Sequence, residues 1–169
     1  MARFIVVFGT RPEAIKLVPV IMRLRSQPGC EVCVCVTAQQ REMLDQVLQF
    51  FAIQPDVDLN LMQPHQSLAA FAGRAIPELE QVIAQVRPDM CLVQGDTSTT
   101  FCGALAAFYR QVPVAHVEAG LRTGNLYSPF PEEANRVMTS GLSALHFAPT
   151  QRAADNLLHE GHHSDYIFI

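Results

Sequence analysis

Short runs of continuous apolar residues alternate along this chain with stretches whose apolar positions recur at helical spacing. Residues 4–8, 31–37, 90–94 and 112–117 are β-rich runs, and 145–148 is a shorter one. Between them, 15–24, 42–51, 67–86, 99–109, 132–142 and 152–158 show the i, i+3, i+4 recurrence of amphipathic helices. Residues 56–62 alternate weakly and predict a short edge strand. Pro77 lies inside the 67–86 stretch, so a kink or a break is expected there. Pro131 stands where the first turn of a helix accepts proline. Apolar strands that alternate with helices predict a parallel sheet covered on both faces. Right-handed crossovers then make an α/β fold, a doubly wound Rossmann-like parallel sheet. Residues 166–169 read as the opening of a further strand, so the sequence is expected to be the front portion of something longer.

Composition narrows the class. A chain of 169 residues that is 49% hydrophobic supports one packed domain and excludes a disordered chain. A net charge of −4 argues against a nucleic-acid surface. No apolar run reaches the ~18 residues of a membrane span. The N-terminal apolar stretch is too short for a secretory signal, so no membrane contact and a cytoplasmic location are expected. Three of five cysteines fall in Cys30, Cys33 and Cys35, on a strand where thiols pack as small hydrophobes. An odd count argues against a disulfide framework. His159, His162 and His163 have Gly161 between them, which breaks any helical ligand spacing, and no metal site is expected.

Candidate chemistry gathers at the ends of the predicted strands. Asp96 closes one apolar run and Glu118 the next, so both carboxylates are expected at the carboxyl edge of one sheet. In open α/β sheets that edge is where ligands bind. Thr10 and Glu13 fit a capping box, yet Gly9, Arg11 and Lys16 at the same helix mouth also suit a phosphate. Neither G-x-G-x-x-G nor the Walker lysine loop is present, which disfavours a nicotinamide dehydrogenase or a P-loop NTPase. Gly95 to Thr100 offers Asp96 and four hydroxyls to a polar ligand, or Asp96 or Thr97 as a helix cap. His116 and Glu118 are expected on one strand face, with an ion pair between Glu118 and Arg122 as the competing explanation for the acid. Glu132 and Glu133 favour a helix N-terminus, and Glu132 can pair with Arg136 at i, i+4. The long loop 120–131 before them suggests function, since such loops are uncommon inside compact domains.

Together the segments 8–16, 37–48, 95–100, 116–124 and 131–136 resemble the non-hydrolysing UDP-N-acetylglucosamine 2-epimerases, and the likeness runs from Phe4 to Ile169. The resemblance implies one half of a GT-B-like two-domain fold: residues 1–169 as the N-terminal Rossmann-like domain, without the C-terminal nucleotide-binding domain. It implies interconversion of UDP-GlcNAc and UDP-ManNAc by elimination of UDP and its re-addition. By motif, Asp96, Glu118 and Glu132 are the catalytic carboxylates, and Arg11, Lys16 and Arg136 contact substrate. Which carboxylate serves which face of the sugar stays open. No cofactor or metal is implied. Partners would be a second copy in a homodimer or a separate C-terminal half, and the setting bacterial polysaccharide biosynthesis. Gln94 and Gln40 depart from the histidines common in the family, and the second departure weakens the case for regulatory substrate binding. The fragment alone is expected to be inactive or nearly so. The rival readings are a non-catalytic remnant or interaction module and a GT-B glycosyltransferase fragment.

Overall fold

The computed structural model describes residues 1–38 and 41–169, so Gln40 lies outside the described residues. Strands and helices alternate in chain order: β1 (Ala2–Phe8), α1 (Arg11–Arg25), β2 (Cys30–Val36), α2 (Arg41–Phe50) and β3 (Val57–Asp58). Then follow α3 (Leu68–Val86), β4 (Met90–Gln94), α4 (Ser98–Tyr109), β5 (Val114–Val117), α5 (Glu132–Leu142), β6 (Leu145–Phe147), α6 (Gln151–His159) and β7 (Ile167–Phe168). The strands form one sheet in the order β3-β2-β1-β4-β5-β6-β7, and every pairing is parallel. The order reverses between β1 and β4, which is the switch point of a doubly wound sheet.

Alternation along the strands divides the core in two. Val6 and Phe8 of β1 join Val32, Val34 and Val36 of β2 under α1 and α2, which contribute Leu17, Ile21, Leu44 and Leu48. Ile5 and Val7 point the other way, to Phe71, Leu79 and Ile83 of α3 and the alanines of α4. Cys35, Cys91 and Cys102 meet in this second layer as buried free thiols. Burial pushes the Cys91 thiol up to about 12 and Cys102 to about 11, as expected of packing groups rather than nucleophiles. A small third cluster of Ala119, Ala148, Ala153, Ala154 and Leu157 seats α6 at the β6–β7 end.

Pro77 does not break α3, which runs unbroken from Leu68 to Val86. Five buried side chains, Phe71, Ala75, Leu79, Val82 and Ile83, hold the helix against the sheet through the missing N–H. The weak 56–62 stretch shrinks to the two-residue edge strand β3, and the 166–169 stretch to β7, paired with β6. Among the described residues no helix is long and apolar enough to cross a membrane.

Candidate active site at the carboxyl edge of the sheet

Three βα turns meet at the switch-point side of the sheet, those after β1, β4 and β5. Gly9 and Thr10 leave β1, and Thr10 caps α1. Gly95 and Asp96 leave β4, and Thr97 caps α4 by accepting from the Thr100 N–H at 3.1 Å. The hydroxyl, not the Asp96 carboxylate, therefore does the capping, and Asp96 is released to the rim. Gly95 has φ +75 and lies beneath Glu118: a Cβ there would stand 3.7 Å from Glu118 Oε2. Glu118 follows the last residue of β5 and adopts φ +66, a conformation costly for a residue with a side chain and one that concentrates at functional sites.

The charges of Glu118 and Glu132 both reach the Asp96 carboxylate. Burial raises the Asp96 carboxyl above its ordinary value, Arg136 pulls it back, and the charges of Glu132 and Glu118 push it up further. Arg136 Nη2 donates to Asp96 Oδ2 at 2.5 Å, and Asn135 Nδ2 donates to the Asp96 carbonyl at 2.9 Å. Both come from the first turns of α5, the helix that carries Glu132. The N-termini of α4 and α5 thus flank Asp96, and the positive ends of their dipoles favour negative charge between them.

Across the rim, Lys16 Nζ lies 2.5 Å from Glu118 Oε2, and Gln94 Nε2 donates to the same oxygen. The ion pair with Arg122, the competing explanation for Glu118, is not made. Arg122 instead grips Glu160 with two bonds, of 2.6 and 2.7 Å, and holds the Ser140 hydroxyl, because α6 folds over that side of the β5–α5 loop. The expected Glu132–Arg136 pair is replaced too: Arg136 turns to Asp96 and, at 3.4 Å, to the fully buried Glu133. Arg11 is exposed at the α1 mouth and has no ion-pair partner among the described residues. His116, expected on the same strand face as Glu118, lies inside the strand that Glu118 has left. Its ring is buried and its Nε2 donates to the Gly95 carbonyl at 2.7 Å. The three C-terminal histidines do not gather: His162 packs on His146 at 4.4 Å, while His163 faces Tyr166 and Asp165.

Sequence reasoning missed two buried acids. Glu13 does close the capping box on the Thr10 N–H at 2.7 Å, but its other oxygen accepts from the Thr97 hydroxyl at 2.8 Å. Glu133 accepts from the Thr123 and Gly124 N–H groups at 2.8 and 3.0 Å and anchors the long loop 120–131. Its signal was its place beside Glu132: on a helix, adjacent residues point about 100° apart, so one acid faces the site and the next the protein. Gln94 carried no signal beyond its position at a strand end.

A parallel sheet in 3-2-1-4-5 order, with acids and bases at its carboxyl edge, defines a Rossmann-like α/β unit, a fold whose ligands bind at that edge. A glycosyltransferase of Streptomyces, SsfS6, shares this fold at 15% identity and a TM-score of 0.57 over 88% of this chain and half of its own. The chain belongs to the UDP-N-acetylglucosamine 2-epimerase family, whose sequence model matches residues 22–169. It is 56% identical to the UDP-N-acetylglucosamine 2-epimerase of Bacillus subtilis over 96% of this chain and 43% of that protein. The crystal structure of the Neisseria meningitidis UDP-GlcNAc 2-epimerase bound to UDP-GlcNAc superposes with a TM-score of 0.96 at 54% identity, covering 99% of this chain and 45% of that one. The chain therefore spans a little under half the length of these relatives.

Proposed function

We propose that this chain is the N-terminal half of a non-hydrolysing UDP-N-acetylglucosamine 2-epimerase that interconverts UDP-GlcNAc and UDP-ManNAc. The observation that supports the reading is that the charges of Glu118 and Glu132, on two other elements, reach Asp96, with Lys16 paired to Glu118 and Arg136 to Asp96. The C2 hydrogen of the sugar is not acidic by itself. Loss of UDP from C1 must first build positive charge, which carboxylates beside the ring stabilise. One of them then takes the C2 proton, leaving UDP and 2-acetamidoglucal. In the return step a proton is delivered to the opposite face of C2 and a UDP oxygen re-forms the bond to C1. In this reading Arg11 and Lys16 face the diphosphate, and the short Lys16–Glu118 contact opens or is shared when that anion arrives. Arg136 holds Asp96 in the cleft.

In the same reading the remaining cleft comes from a C-terminal nucleotide-binding domain, in the same or a separate chain, and two copies pair as a homodimer. We read the setting as cytoplasmic, which the five free thiols suit, and the product as an activated amino sugar for bacterial surface polysaccharide.

A chimera tests the function. This chain replaces the matching 43% of the Bacillus subtilis enzyme, and epimerisation is followed with C2 deuterium exchange. Turnover is expected, with Asp96→Asn, Glu118→Gln and Glu132→Gln each lowering kcat by roughly 10²-fold or more. A folded chimera that binds UDP without epimerising, or carboxylate variants that keep full turnover, would sink the assignment.

A further inference from the structure

We propose that Glu13 is a positioning residue for Asp96, clasping the β1–α1 turn to the β4–α4 turn; the proposal rests on reading Asp96 as a catalytic carboxylate. Glu13 is 1% exposed and no cation pairs with it among the described residues. Burying a carboxylate without a basic partner is costly, so its hydrogen bonds must explain it. Oε2 accepts from the N–H groups of Gly9 at 3.1 Å and Thr10 at 2.7 Å, which serves α1. That duty needs one oxygen, and glutamine performs it as well as glutamate in a capping box. Oε1 faces the other turn, with Thr97 Oγ1 at 2.8 Å and Thr100 Oγ1 at 3.1 Å.

These bonds tie the two turns together. A carboxylate only accepts, so the Thr97 hydroxyl must donate to Glu13. Its lone pairs are then left for the Thr100 N–H, which is the α4 cap. Thr100 in turn donates its hydroxyl to the Gln94 carbonyl at 2.6 Å. Asp96 lies between these two anchored residues, Gln94 before it and Thr97 after it. Asn135 and Arg136 hold its carbonyl and its carboxylate from α5. Without Glu13, the side-chain link between the two turns is lost, and Thr97 keeps only its place as the α4 cap.

The test is a carboxyl NMR titration of Asp96 in the full 169-residue chain, with amide spectra of Gly95, Asp96 and Thr97. Glu13→Ala is expected to move those amides and to lower the Asp96 midpoint, because water reaches an opened turn and burial is the largest influence on that carboxyl. Glu13→Gln is expected to restore both, its oxygen facing Gly9 and Thr10 and its amide the two hydroxyls. Leu17→Ala hollows the same helix without touching the clasp and should leave Asp96 unmoved. An Asp96 midpoint unchanged in Glu13→Ala, or shifted equally by Leu17→Ala, overturns the proposal. If Glu13→Ala does not fold, Thr97→Val decides: it removes the one hydroxyl that donates to Glu13, so a shift in the same direction supports the clasp and none refutes it, while Thr97→Ser, which keeps that hydroxyl, should leave Asp96 unmoved. Turnover enters nowhere in this measurement, so failure of the epimerase reading shows in the chimera and not here.

Discussion

Burial keeps the rings of His116 and His146 neutral, with both values lowered to about 4; in each case burial is the largest cause. An unfolded chain protonates these rings near the ordinary imidazole value, so the sign is definite. Their stability is fully present above pH 6.5 and is lost as pH falls towards 4. For the wholly buried His116 the loss is on the order of 3 kcal/mol. Glu13 acts in the opposite sense, since burial raises its carboxyl and the folded state takes up a proton more readily as pH falls. Urea unfolding at pH 7.5 and pH 5 should show a clear loss for the natural chain and a steeper one for Glu13→Gln; a flat profile in both would refute the neutral, buried rings. Arg136 gives a second expectation at this scale. Arg136→Met leaves Glu133, 1% exposed, without its cation, and should cost about 3 kcal/mol in the same assay. A cost below about 1 kcal/mol would mean that the pair carries no weight. The identities of the acids were legible in the sequence, because each closes a predicted strand or opens a helix. Their partners were not. Lys16 reaches Glu118 across 102 positions and Arg136 reaches Asp96 across 40, and local spacing favoured Arg122 and Glu132 instead.

Among elements, the glycines of α3 and of the β5–α5 loop make opposite demands. Gly73 lies in the interior of α3 with open space where a Cβ would stand, so Gly73→Ala should stabilise the chain by about 0.5–1 kcal/mol. Gly120 has φ +86, and a Cβ there would come within 2.1 Å of the Ala153 carbonyl oxygen on α6. Gly120→Ala should cost at least about 2 kcal/mol, and thermal melts of the two variants should move in opposite directions. Similar shifts for both would contradict the close approach of α6. Element types were readable from apolar periodicity because the sheet is buried on both faces and its helices on one. The weak alternation of 56–62 gave the short edge strand it predicts, and at Pro77 packing overruled the break. Pro77 sits in an unbroken helix held by five core side chains, and the 56–62 stretch follows β2 through backbone bonds from Asp56, Leu59 and Leu61 to Val34, Val36 and Thr37.

For the whole molecule, the reversal of strand order between β1 and β4 brings chemistry from residues 80 and more positions apart to one place. Alternating strands and helices announced the sheet, and right-handed crossovers limited its winding, so the carboxyl edge could be named before any contact was known. Half a cleft still cannot exclude water or fix a sugar, and orientation alone can supply roughly 7–11 kcal/mol of a barrier. The 169-residue chain on its own should therefore show little epimerisation, in contrast to the chimera; ordinary turnover by the lone chain would disprove this. The seat of α6 has a mechanical meaning. The helix lies flush on the Gly120 backbone, Asn156 Nδ2 binds the Gly120 carbonyl at 2.9 Å, and Arg122 is locked to Glu160 at the helix's far end. The start of the β5–α5 loop is thus pinned to α6 at three points, two residues from Glu118, so the outer margin of the sheet braces the turn that carries that acid.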